Sequence, residues 1–134
     1  MTTESILRVE EGKSLKLYKD SLGVATIGVG YAIGLRGLPD DIVEELFRRD
    51  LIELRIQAAK IPEYDALDLV RRGVLERMVF QLGFEDVMDF HDMRAALARQ
   101  DWATAAAEML DSKWQQQTPA RCRRESDRMR RGIE

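Results

Sequence analysis

ILRVEEGKSLKLYKDSLGVATIGVGY, residues 6–31, is the stretch whose reading decides the fold. Ile6, Leu7 and Val9, with the residues up to Glu11, suit one short amphipathic helix, and Gly12 stands where helices often end in a left-handed residue. Beyond it Leu15 and Leu17 alternate with Lys16 and Tyr18, a period of two that marks a strand. Asp20, Ser21, Leu22 and Gly23 supply turn chemistry. From Val24 to Tyr31 the alternation resumes, with Val24, Thr26, Gly28 and Gly30 expected on one face and Ala25, Ile27, Val29 and Tyr31 on the other. The whole predicts a helix followed by a β-hairpin, and the small residues on one face leave room for close approach by another surface.

Outward from this segment the pattern turns helical. AIGLRGLP reads as a loop, with Pro39 suited to the first turn of a helix. Val43, Leu46, Phe47, Leu51, Leu54 and Ala58 then form one apolar stripe, which Pro62 closes. Asp65 is a candidate cap for a helix facing inward with Leu67, Val70, Val74 and Met78, and closed by Gly83. Val87, Phe90, Met93 and Leu97 predict another helix. Asp101 caps the next, which carries Trp102, Ala105, Ala106 and Met109. Thr118 and Pro119 form a cap and first-turn pair that opens an Arg-rich helix running to Gly132. The class is α+β and mostly helical, with one small sheet near the start.

The 134 residues fit one domain. Apolar residues make up 45% and charged residues 34%, an ordinary globular balance. A net charge of −3 argues against general nucleic-acid binding, which needs a basic face to displace phosphate counterions. One cysteine, Cys122, makes no internal disulfide, and no recognisable base stands beside it. The opening MTTESILRVEEGKS lacks the basic and apolar regions of a signal peptide, and no run is apolar for long enough to span a bilayer. Synthesis in the cytoplasm is therefore expected, without membrane insertion.

Elimination narrows the chemistry. A single His91, with no HExxH or CxxC, leaves no metal-ligand set, and a Ser-His-Asp triad would depend on that one histidine. Ile33 occupies the third glycine position of a dinucleotide fingerprint. Hydrolysis by two carboxylates remains, and it needs no cofactor. Glycoside cleavage calls for a protonated carboxylic acid near the leaving oxygen and an ionised carboxylate at the other face of the sugar. Glu11 lies at a helix C-terminus, where the helix dipole disfavours negative charge. Asp20 lies in a polar turn where a carboxylate stays ionised, and Thr26 follows on the next strand, placed to hold a water against it. Two acids at this spacing also suit a merely solvated surface.

The residues carry a more specific pattern. Glu11-x8-Asp20-x5-Thr26 sits inside a Leu-Arg-x-x-Glu-Gly opening and a Tyr-Lys-Asp, Thr-Ile-Gly-x-Gly frame. This segment resembles the catalytic region of phage T4-type lysozymes. LDLVRRGVLERMVFQLG, residues 67–83, looks like the family's central buried helix, and KWQQQTPARCRR, residues 113–124, is similar to its Trp-x-x-Gln-Thr-Pro-x-Arg segment.

The resemblance implies a lysozyme-like fold with a small β-containing lobe over residues 12–60. A helical lobe would cover residues 61–134 and include the N-terminal helix. It implies a muramidase that cuts the β-1,4 bond between N-acetylmuramic acid and N-acetylglucosamine with inversion, Glu11 as general acid, Asp20 as the second carboxylate and Thr26 positioning water. Glu10 is the rival acid, and the Glu-Gly junction picks Glu11. Phe80, Gln81, Gln117 and Arg121 match substrate-side positions, the last two near the acid. The implied partner is the peptidoglycan strand, reached in the periplasm by a monomer released through a separate holin in the manner of an endolysin. A catalytically weak peptidoglycan-binding protein of the same fold is the alternative. The chain departs from the pattern at Tyr31, where the family's best-known member has a histidine. It also departs in the short loop from Ala32 to Leu38, and at Met93 and Glu108, where sugar-contacting residues are not retained.

Overall fold

The structure is a computed structural model that describes all 134 residues. In chain order it has α1 (Thr3–Glu11), β1 (Ser14–Lys19), β2 (Ala25–Gly28), α2 (Ile33–Arg36), α3 (Asp40–Ala58), a 3-10 turn (Tyr64–Ala66), α4 (Leu69–Leu82), α5 (Phe84–Met88), α6 (His91–Ala98), α7 (Trp102–Leu110), α8 (Lys113–Gln117) and α9 (Pro119–Arg131). The mostly helical α+β class is as expected. The chain divides into two compact units, Met1–Arg48 and Arg49–Glu134, with the boundary inside α3. No helix is long and apolar enough to cross a membrane.

In the first unit α1 begins earlier than its apolar residues indicate, because Thr2 and Ser5 cap it reciprocally. The Thr2 hydroxyl accepts from the Ser5 amide (3.1 Å), and the Thr2 amide donates to the Ser5 hydroxyl (3.0 Å). Gly12 ends the helix, its amide donating to the Arg8 carbonyl. The hairpin forms as read up to its second strand: β1 and β2 are antiparallel, with Tyr18 opposite Thr26 and Lys19 opposite Ala25. Ser14 pairs with Gly28, so Leu15, Lys16 and Leu17 correspond to Ile27 alone. The Ser14 hydroxyl stabilises this bulge by donating to the Lys16 carbonyl (2.6 Å).

The expected single strand from Val24 to Tyr31 is corrected. β2 stops at Gly28, and the chain reverses. Ile27 and Tyr31 exchange both backbone hydrogen bonds, each 2.9 Å. A reversal this tight needs positive φ, and Gly28 (+69°) and Gly30 (+68°) provide it without a Cβ penalty. The Ala32–Leu38 segment is also more than a loop. It contains the single turn α2, and the Tyr31 hydroxyl donates to the Gly37 carbonyl (2.5 Å) while the Arg36 guanidinium sits 4.4 Å from the Tyr31 ring centre. Tyr31 thus clamps the short segment that follows it. Pro39 lies just before α3 rather than within it, its carbonyl accepting from Ile42 and Val43.

Thr26 is the only buried residue of this unit. Val43, Leu46 and Phe47, expected to face a core, are exposed, whereas Leu54 and Ala58 of the same stripe are buried in the second unit. A two-stranded sheet in a unit this short has too little surface to cover a helix.

The second unit holds the core. α4 supplies Val74, Leu75, Met78 and Val79 to it, in keeping with a central buried helix, and Trp114, Cys122 and Met129 come from α8 and α9. The cap of α4 is Asp68, which accepts from the Arg71 amide (3.0 Å); the expected Asp65 lies in the preceding 3-10 turn. The single helix expected across Val87 to Leu97 is two, α5 and α6, parted where the His91 amide turns back onto the Asp89 carbonyl (2.8 Å). Asp101 caps α7 as read, accepting from the Thr104 amide (3.1 Å). Pro119 opens α9, but the Thr118 side chain does not cap it.

Two polar clusters tie α4 to α9. Glu125 is 3% exposed and accepts from Arg77 through both carboxylate oxygens (2.8 and 3.0 Å) and from Arg128 (2.9 Å). Arg71 is buried too. It donates to Asp68 (2.8 Å) and to the carbonyls of Met129 (2.7 Å) and Arg130 (3.1 Å), with its guanidinium 4.0 Å from the Trp102 ring centre. Trp102 therefore packs within the unit. The Arg-rich helix is a solvated face along Arg123, Arg124, Arg130 and Arg131, but its inner side carries this buried carboxylate.

Candidate active site

Glu11, Asp20 and Thr26 all belong to the first unit. Glu11 is the last residue of α1 and is solvent-exposed. Within the first unit Glu11 has no apolar enclosure, since Thr26 is the one buried side chain there. Its carboxylate is nevertheless seated: it lies against Gly30, so closely that a Cβ built there would stand 2.8 Å from Oε2 and 2.9 Å from Cδ. The close approach that the small residues allowed is thus made by Glu11 itself, at the glycine beyond the end of β2.

Asp20 is held by its turn. Its Oδ1 accepts from the amides of Leu22 and Val24, both 2.9 Å, leaving Oδ2 without a protein partner. Thr26, 3% exposed, donates its hydroxyl to the Val24 carbonyl (2.8 Å). Val24 therefore links the two side chains: its amide binds the aspartate and its carbonyl binds the threonine. This arrangement lets one oxygen of Asp20 act as a base and leaves Thr26 Oγ1 free to accept a hydrogen bond.

Phe80, Gln81, Gln117 and Arg121 belong to the second unit. Phe80 is 54% exposed at the end of α4, so it is not a core residue. Gln81 spans two helices: its Nε2 donates to Thr118 Oγ1 (3.1 Å) and its Oε1 accepts from Trp114 Nε1 (3.0 Å). Gln117 lines a cavity of about 630 Å³ that Met93, Glu108 and Trp114 also line. Arg121 is half-buried on the first turn of α9. The contacts with Gly30 and Val24 were not foreseen. The only sequence signal for them is the pair of glycines flanking Val29 and the small residues around Thr26.

No protein-family model matches the chain. It is similar to "Probable T4-type lysozyme 1" of Dictyostelium discoideum, 30% identical over 151 aligned positions that cover 90% of this chain and 89% of that protein. The chain belongs to the T4-type lysozyme family. Its relative "Probable T4-type lysozyme 2" of the same organism is 27% identical over the same shares of the two chains. "Pre-baseplate central spike protein Gp5" of Enterobacteria phage T4 is 32% identical over 92% of this chain, and only 27% of that longer protein is covered. The chain is thus a glycoside hydrolase of the T4-type lysozyme family. The alignments are longer than its 134 residues, so this member lacks residues that its relatives carry.

Proposed function

We propose that this T4-type lysozyme is a muramidase that hydrolyses the β-1,4 bond between N-acetylmuramic acid and N-acetylglucosamine in peptidoglycan, with inversion. Two observations in the same compact unit support this reading: the Asp20–Val24–Thr26 linkage, and a Glu11 seated against Gly30. Because the Thr26 hydroxyl proton is committed to the Val24 carbonyl, Oγ1 is left to accept from a water. That water donates its other proton to the free Oδ2 of Asp20 and points a lone pair at the anomeric carbon. Asp20 takes the proton as the C–O bond forms, and Glu11 protonates the leaving oxygen as the glycosidic bond breaks. Phe80, Gln81, Gln117 and Arg121 are the substrate-side residues, with the Gln81 amide already braced by Trp114 and Thr118.

A second reading, a wall-binding protein with weak catalysis, is favoured by the exposure of Glu11 alone. Incubation of the purified chain with purified peptidoglycan separates the two. New reducing N-acetylmuramic acid ends, seen by NMR as the α-anomer before mutarotation, support the proposal. Early β-anomer contradicts inversion, and retention on the wall without new ends supports the second reading. The setting we propose is that of an endolysin: a monomer made in the bacterial host cytoplasm that meets the wall in the periplasm after holin-mediated release, without nucleic-acid or membrane-inserting partners.

A further inference from the structure

We infer that Gly30 is a positioning residue for Glu11, its missing side chain being the seat in which the acid lies. The inference rests on the reading of Glu11 as general acid. It starts from a contrast inside one turn. Gly28 and Gly30 share a positive φ, +69° and +68°, which disfavours any other residue at either position, and both belong to the reversal pinned by Ile27 and Tyr31. A Cβ at Gly28 meets nothing within 4 Å. A Cβ at Gly30 meets three consecutive atoms of Glu11: Cγ at 3.1 Å, Cδ at 2.9 Å and Oε2 at 2.8 Å. Glu11 therefore lies along the glycine rather than touching it with its tip, and no rotation of the carboxylate alone clears a methyl group there.

The seat matters because Glu11 has little else to fix it. It is the terminal residue of a helix with no buried side chains, and it is exposed. Tyr31, next in the chain, is bonded back to Ile27 and clamps Gly37, so the backbone under the carboxylate is held on both sides. A methyl at residue 30 has to push Glu11 off its site, and misplacement of a catalytic group by about 1 Å costs up to about 100-fold in rate.

Gly30→Ala and Gly28→Ala, matched in φ, form the test, alone and combined with Glu11→Ala. Two readouts are used: melting temperature, and kcat and KM on purified peptidoglycan across pH. The expected result is that Gly30→Ala melts lower than Gly28→Ala and that Glu11→Ala removes the difference. It is also expected to cut kcat by about 10- to 100-fold with KM unchanged, and to shift the pH limb that Gly28→Ala leaves in place. Should Gly30→Ala fail to fold, its combination with Glu11→Ala is expected to fold like Gly28→Ala. Equal melting of the two glycine variants with no coupling to Glu11 overturns the contact, and equal kcat overturns the positioning. Full activity of Glu11→Gln overturns the acid assignment instead, while the melting cycle still reports on the seat.

Discussion

Arg77→Ala tests how the buried carboxylate of α9 is held. Arg77 and Arg130 both place a guanidinium nitrogen 2.8 Å from a carboxylate oxygen, Arg77 on Glu125 and Arg130 on Asp127. The distances are equal and the surroundings are not: Glu125 is 3% exposed, Asp127 45%. Truncating Arg130 removes a solvent-exposed ion pair that water replaces, at little cost to stability. Truncating Arg77 strips Glu125 Oε2 of its only donor and leaves Oε1 with Arg128 alone. Loss of charged hydrogen bonds from a buried carboxylate that keeps one partner costs about 2–3 kcal/mol, below the 3–5 kcal/mol range of a fully orphaned charge. At about 3 °C per kcal/mol for a chain of this size, the melting temperature falls by about 6–9 °C. Circular dichroism melts of the two variants side by side are the assay. Equal small losses would refute the reasoning, since burial and not distance is what separates the pairs.

Other outcomes follow from the same geometry. The Asp68 carboxyl is held below the usual carboxylate range: burial pushes it up, but the Arg71 amide and guanidinium bonds and the Arg71 charge outweigh burial. A depressed carboxyl stabilises above its unfolded value and loses that contribution as pH falls through its folded value. The melting difference between wild type and Asp68→Asn should therefore be present at neutral pH and vanish in acid; a pH-independent difference would refute it. Burial pushes the Cys122 thiol up against a smaller opposing effect of Arg123, and its Sγ donates to the Met109 carbonyl (3.2 Å). Alkylation of native protein should follow global unfolding, and rapid labelling of the folded chain would contradict the placement. Cys122→Ser, whose hydroxyl can make the same bond, should cost under about 1.5 kcal/mol in chemical denaturation.

The periodic parts of the fold were legible in sequence. The α4 stripe, the Asp101 cap, the opening Pro119 and the Asp20–Gly23 turn all express local chemistry that a short window contains. Where the reading went astray, the deciding interaction was elsewhere. Val24 to Tyr31 keeps a period of two straight through a chain reversal, because Val29 at the tip alternates with two glycines. Glu125 hides in an Arg-rich run, and the partner that takes it inside is 48 residues away. The Phe47 stripe is helical as read, but no periodicity says whether a small unit has anything to lay against it. At the candidate site Glu11, Asp20 and Thr26 are visible as a pattern, whereas the Val24 link and the Gly30 contact depend on how the turns close.

The central claim is that Glu11, and not its neighbour Glu10, gives the proton to the departing sugar. Clearing of bacteria stripped of their outer membrane, measured for wild type, Glu11→Gln and Glu10→Gln at equal folded concentration, tests it most directly. Loss of clearing in Glu11→Gln with Glu10→Gln near wild type is the predicted result. Clearing by Glu11→Gln at the wild-type rate would contradict it.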